Sequence, residues 1–299
     1  MVELINVPYS LRWNQKSRQK VIRVPALDKE EFKKATRESF LFYKKNSQYL
    51  TFELDMIDNV DFLASLNFRK TALILHAFTK YDIEAIVSLQ SKFKAFDKVE
   101  IILHKNVDDI VKNIEKLIFD DNIYVRFSVE FLKELSSSEL KKAYEDIAFN
   151  PDVLSHVYPF VSLVRYFDLQ AHSRDKVDRT LWRFMQEEVG LFYYVTSDGK
   201  CSVSKRFADK SMYFGTIEDS IEKMKESEFY KSLDSVDEEI FFTYDKCAVC
   251  EEYKVCGALP VYDDMQFDCS AVVNLLKDFK NDLEDIMGVV PKKQLQVCA

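Results

Sequence analysis

From about residue 70, short apolar runs alternate with stretches whose apolar positions recur at helical spacing. Thr71-Ala-Leu-Ile-Leu-His76 is a continuous apolar run of the buried-strand kind, and Asp82 to Phe93 follows with helical periodicity. Val99-Glu-Ile-Ile-Leu-His104 repeats the strand signal, with a helix predicted over Val107 to Phe119. Ile123 to Val129 predicts a third strand, and Ser138 to Phe149 its helix. Strands separated by amphipathic helices predict βα units and a parallel sheet. A period of about 25 residues suits a partial or full βα barrel better than a helical solenoid.

The flanks are less regular. Val21-Ile-Arg-Val24 predicts a short strand, and Asp28 to Tyr43 a helix with Asp28 as its N-cap. Residues 151–190 are apolar and aromatic. Val157 to Val161 and Leu163 to Phe167 predict one or two further strands, before a helix through Arg179 to Glu188. At Gly190 the texture changes, because glycines and cysteines arrive together and turn residues become frequent. A division into 1–188 and 189–299 follows, with a last helix over Ser270 to Met287.

Composition narrows the function. A chain of 299 residues, 47% hydrophobic and 31% charged, is long enough for two domains and rich enough for a large core. Lys and Arg number 42 against 50 Asp and Glu, a net charge of −8, which speaks against a nucleic-acid backbone as main partner. The run from Arg12 to Arg23 could dock an acidic peptide, although such runs are commonly solvated faces. The N-terminus has no basic start followed by an apolar run, and no uncharged apolar stretch is long enough to span a bilayer, so a cytoplasmic protein without membrane contact is expected.

Position matters more than totals. All five glycines (190, 199, 215, 257, 288) and all six cysteines (201, 247, 250, 256, 269, 298) lie beyond residue 189. The first 189 residues therefore hold no glycine loop to cradle phosphate, and no thiol for metal or redox work.

The sharpest signal is Cys247-Ala-Val-Cys250-Glu-Glu-Tyr-Lys-Val-Cys256, a C-x2-C-x5-C spacing. Two thiols three positions apart on a turn can face one metal centre. Cys269, with twelve residues between it and Cys256, is the nearest candidate for a fourth ligand, and closing a loop of that length costs little entropy. Four thiolates suit a [4Fe-4S] cluster or a tetrahedral zinc ion. A set of free buried cysteines is the bland alternative.

The neighbourhood of these cysteines resembles the SPASM domain, the C-terminal extension of many peptide-modifying radical SAM enzymes. That family carries C-x9–15-G-x4-C, then C-x2-C-x5-C-x3-C, then a final Cys, as ligands of two auxiliary iron–sulfur clusters. Cys201 and Gly215, with thirteen residues between them, match the first element, but Ser220 replaces its second Cys. Cys247, Cys250 and Cys256 match the second element, but Pro260 replaces its fourth Cys, and Cys269 matches the final one. In the family the two missing positions serve the first auxiliary cluster, and the retained ones serve the second. The resemblance, over roughly residues 190–287, implies one cluster at Cys247, Cys250, Cys256 and Cys269. It leaves Cys201 an orphan thiol and Cys298 a tail residue without a role. Radical SAM enzymes also need a C-x3-C-x2-C loop after the first strand and a Gly-Gly-Glu-like turn. Both are missing here, so the resemblance implies a degenerate radical-SAM-like βα domain without S-adenosylmethionine chemistry. Such proteins resemble the grasp-with-spasm members of ribosomal peptide maturation systems. That implies a precursor peptide and an ATP-grasp ligase as partners.

One other candidate comes from the βα pattern. His76 and His104 end consecutive predicted strands, where βα folds carry active sites, and Asp108 and Asp109 lie close by. They are either an acid/base or metal pair, or polar residues satisfied at strand ends. His156 and His172 have no motif around them.

Overall fold

The computed structural model of the chain describes residues 19–24, 49–54, 57–66, 71–105, 114–161, 163–164, 167, 194–196, 199–202, 205–216, 219–234, 245–256 and 268–289. In chain order these form β1 (Gln19–Val24), β2 (Tyr49–Leu54), α1 (Val60–Ser65), β3 (Thr71–Ala77), α2 (Lys80–Ser88), α3 (Gln90–Phe93), β4 (Lys98–Leu103) and β5 (Ile123–Phe127). They continue with α4 (Val129–Glu134), α5 (Ser137–Ala148), α6 (Pro151–Leu154), β6 (Val157–Tyr158), β7 (Tyr194–Val195), β8 (Lys200–Ser202), α7 (Lys205–Asp209) and β9 (Gly215–Thr216). The last are α8 (Ile221–Lys225), α9 (Glu228–Asp234), α10 (Asp245–Ala248), α11 (Tyr253–Cys256), α12 (Ser270–Asn281) and α13 (Leu283–Val289). The chain divides into two compact units, each of three segments: 1–76 with 85–100 and 186–239, and 77–84 with 101–185 and 240–299.

The first unit holds a parallel sheet of four strands in the order β3-β2-β1-β7, so the α/β expectation holds. Phe52 pairs with Leu73 and Leu54 with Leu75, and all four are buried. The strand signal was a continuous apolar run because parallel strands are covered on both faces. β8 and β9 extend the sheet in antiparallel fashion. Phe207 and Phe214 pack around Phe229 with ring centroids 5.7 and 6.4 Å away.

In the second unit β5 pairs in parallel with β6, Val125 opposite Val157. Two amphipathic helices dominate the rest. α5 buries Leu140, Ala143, Tyr144, Ile147 and Ala148, and α12 buries Val272, Leu275, Leu276 and Phe279. Both sets follow the helical i, i+3, i+4, i+7 spacing of a single stripe. The stripes meet where Tyr144 lies against Phe279, with centroids 6.1 Å apart, and the Tyr144 hydroxyl donates to Asp282 over 2.6 Å. α5 starts at a capping box in which Ser136 and Glu139 satisfy each other's main-chain amides.

Several expected elements differ, among them the strand expected over Leu163–Phe167, where the described residues 163, 164 and 167 are helical, and the helix expected over Asp82–Phe93, which is interrupted at Leu89. In the described part of Val107–Phe119, residues 114–116 form a 3₁₀ turn, with Leu117 and Ile118 donating to Ile114 and Glu115. It stops at Asp120, whose carboxylate takes the Asp121 amide and so competes with a helix. The strand expected over Val157–Val161 ends at Tyr158. Pro159 has no amide for a ladder, and Leu163 donates back to its carbonyl in helical fashion. The last helix breaks at Asp282, which caps α12 and accepts the Tyr144 hydroxyl. The helices expected over Asp28–Tyr43 and Arg179–Glu188 lie outside the described residues. Among the described residues no helix is long and apolar enough to cross a membrane.

Candidate metal centre

Cys247 lies in α10, Cys256 ends α11, and Cys250 sits on the turn between them. The segment stays coiled throughout. Cys250 donates to the Cys247 carbonyl and Tyr253 to that of Cys250, both over 3.2 Å, and Cys256 donates to Glu252 over 2.9 Å. A backbone wound this tightly returns its side chains to one side every three to four positions, which is why C-x2-C is a ligand spacing.

Cys269 immediately precedes α12. The Asp268 carboxylate accepts from the Ser270 amide (3.0 Å) and hydroxyl (2.6 Å), so Asp268 satisfies the helix start. The Cys269 side chain makes no cap bond. The result is a cavity of about 440 Å3 lined by Cys247, Cys250, Cys256 and Cys269, with Lys246, Tyr253, Asp268, Val272, Val273 and Asn274 among its other walls. That volume falls within the range of roughly 300–1,000 Å3 of small-molecule and cofactor sites. The four residues named from spacing all border this one cavity, contributed by two segments of chain.

The site is apolar enough to disfavour free thiolates. Burial, and the charges that Cys247 and Cys250 would carry, push the Cys269 thiol up to about 11 against the opposing pull of Lys246. Burial likewise raises the Cys247 thiol, with Cys250 adding to it. A metal ligated here must displace protons as it binds. Cys247, Cys250, Cys256 and Cys269 are not joined in disulfides. Among the described residues no three His, Cys, Asp or Glu side chains stand within the distances at which they would share one metal ion. Four cysteines on one cavity are a donor set of the thiolate-site kind.

Cys201 is in a different setting. It lies fully buried in β8, opposite Gly215 of β9 in the antiparallel register. Burial, then the nearby Asp219 charge, holds its thiol well above the ordinary range. Its sulfur hydrogen donates weakly to the Gly199 carbonyl over 3.6 Å. Gly215 is required by space, because a Cβ there would stand 2.8 Å from Met224 Cγ. Ser220 is the N-cap of α8, its hydroxyl accepting from the Lys223 amide over 3.2 Å. Pro260 and Cys298 lie outside the described residues.

His76 is half-buried at the end of β3. His104 follows β4, its ring stacked on Phe78 at 4.2 Å, with Nδ1 3.8 Å from a Glu130 carboxylate oxygen. The His104 contact, outweighing partial burial, brings the Glu130 carboxyl down to about 2. Glu130 was not singled out from sequence. It opens the helix that follows the third strand, and that position in a βα unit is the signal that could have found it. His156 donates Nδ1–H to the Ile123 carbonyl over 2.6 Å, which makes it a satisfied core histidine. Asp108, Asp109 and His172 lie outside the described residues.

Fold and site together define an α/β protein with a late four-thiol cavity. No family model, curated protein or solved structure matches the chain.

Proposed function

We propose that the protein is a non-radical accessory protein of ribosomal peptide maturation, acting in the cytoplasm. In this reading it holds one [4Fe-4S] cluster at Cys247, Cys250, Cys256 and Cys269, uses no S-adenosylmethionine, and binds a precursor peptide, an ATP-grasp ligase or both. Its front portion is then a degenerate radical-SAM-like βα domain and residues 189–299 its SPASM-like domain. The observation that carries the reading is the cavity lined by cysteines from two separate segments. A centre bound there would tie the cysteine loop to α12 and supply folding energy.

Anaerobic purification tests the metal. A brown protein with charge-transfer absorbance and about four irons per chain is expected. A colourless protein with a single zinc would move the reading to a zinc-stabilised interaction protein, which the same four thiols also suit. Co-purification with a short precursor peptide, or with a ligase encoded beside it, tests the partner. Failure with every neighbouring gene product would sink the maturation role.

A second reading rests on the Glu130 carboxylate facing His104, an arrangement that orients an imidazole for acid/base work. It requires an activity that disappears in His104→Ala or His76→Ala protein that still folds.

A further inference from the structure

Between Cys250 and Cys256 the chain places two consecutive acids whose surroundings differ sharply. Glu251 is exposed and its carboxylate lies 3.9 Å from Lys277. Glu252 is 2% exposed and its Oε1 lies 3.6 Å from Lys280 Nζ. The lysines are three positions apart on α12, so they rise from one side of that helix. The Glu252 carbonyl also accepts from Val255 (3.1 Å) and Cys256 (2.9 Å), which makes this residue a corner of the turn. Its second carboxylate oxygen is buried without a hydrogen-bond donor among the described residues. Lys280 is thus the cation that faces the buried Glu252 carboxylate, and removing it would leave that carboxylate without an ion-pair partner. An exposed pair such as Glu251–Lys277 is worth little.

We propose that Glu252 is a positioning residue of the thiol site. Its ion pair with Lys280 fastens the loop bearing Cys247, Cys250 and Cys256 to the helix led by Cys269, and so holds the two cysteine-bearing segments against each other before a metal draws the sulfurs in. The inference rests on the thiol-site reading above. The first three cysteines and the fourth belong to segments that meet only through tertiary packing, and this pair is a charged tie between them. Outer-sphere groups that orient ligands typically alter metal affinity about 10–100-fold.

The test is anaerobic titration of the stripped full-length protein with Co2+, against a competing chelator, following the thiolate-to-cobalt absorption bands. Glu252→Gln and Lys280→Gln are each expected to weaken binding about 10–100-fold and to alter those bands. The double variant should lose no more than either single one, because the two act as a unit. Lys280→Arg should restore most of the affinity, and Glu251→Gln should stay within about twofold of the unaltered protein. Far-UV circular dichroism, unchanged in every variant, separates positioning from unfolding. Unaltered affinity in Glu252→Gln and Lys280→Gln, with cobalt still lost in Cys250→Ser, would overturn the tie and leave the thiol site standing. Loss in Glu252→Gln alone would assign the effect to the turn and also overturn it. No cobalt bands in the unaltered protein would remove the site itself.

Discussion

Cys201 and the quartet at Cys247–Cys269 use one side chain under opposite conditions. Cys201 faces a closed core in an antiparallel strand pair, with a glycine as cross-strand partner and no second thiol among the residues bonded to it. The other four line a cavity with lysine, aspartate and asparagine among its walls. In the first place burial simply makes the thiol inert. In the second it raises thiols that also sense one another, which is the arrangement a metal relieves. Position within a motif is therefore weaker information than company. Ser220 makes the same point, since it replaces a ligand of the resembled family and works instead as a helix cap.

The largest expected effect breaks or confirms this contrast directly. Cys250→Ser should abolish metal content and remove the shift in melting temperature caused by a chelator. Cys201→Ser should retain both. Structural thiolate sites contribute on the order of 10 kcal/mol of binding free energy, so the difference will be large in elemental analysis and in calorimetry. Equal metal loss in the two variants would erase the distinction.

Tyr144→Phe comes next. It removes the donor to Asp282 at the end of the helix that carries Cys269 onto its cavity. Urea unfolding should show a loss of about 1.5–3 kcal/mol, the usual value for a hydrogen bond to a charged group. A change below a few tenths would mean that Asp282 finds another donor.

Ser220→Cys places a second thiol at that position and sharpens the comparison. It should cost about 1 kcal/mol through the lost cap and add no metal. A second metal equivalent in this variant would show that Cys201 is less sealed than its burial implies.

The smallest effect belongs to Glu130. Its carboxyl titrates near 2 in the fold, below its ordinary value of 4.5. Its stabilising contribution is therefore full above the ordinary value and fades as pH falls through that window. The gap in urea midpoint between the unaltered protein and Glu130→Gln should close as pH drops from about 4.5 toward 2. Glu130 is more than half exposed, so the gap stays below about 1 kcal/mol even when full. A gap independent of pH would remove the His104 contact as its cause.

Much of the scaffold was legible. β3, β4, β5, α5 and α12 fall within two residues of where apolar periodicity put their starts, because period and burial are two views of one geometry. Local competitors were harder to read. The Asp120–Asp121 contact follows a 3₁₀ turn where a helix was expected, Pro159 ended a strand, and Asp282 caps a helix where a longer one was expected and engages Tyr144. Each is a side chain or ring outbidding the backbone ladder, which a hydrophobic pattern does not record. That four cysteines border one cavity agrees with their spacing, whereas Glu130 and Glu252 were not singled out, since acids are common and only their neighbours distinguish them.

The amino-acid order by itself determined the alternation of strands and helices, the absence of glycine loops and thiols from the first 189 residues, and the C-x2-C-x5-C turn. These depend on backbone geometry over a few residues. Tertiary structure alone decided that Cys269 joins that turn across a cavity, that Cys201 is walled into a sheet, and that Lys280 meets Glu252. Such meetings are fixed by how apolar helix faces and strand registers pack, a choice made between segments far apart in the chain.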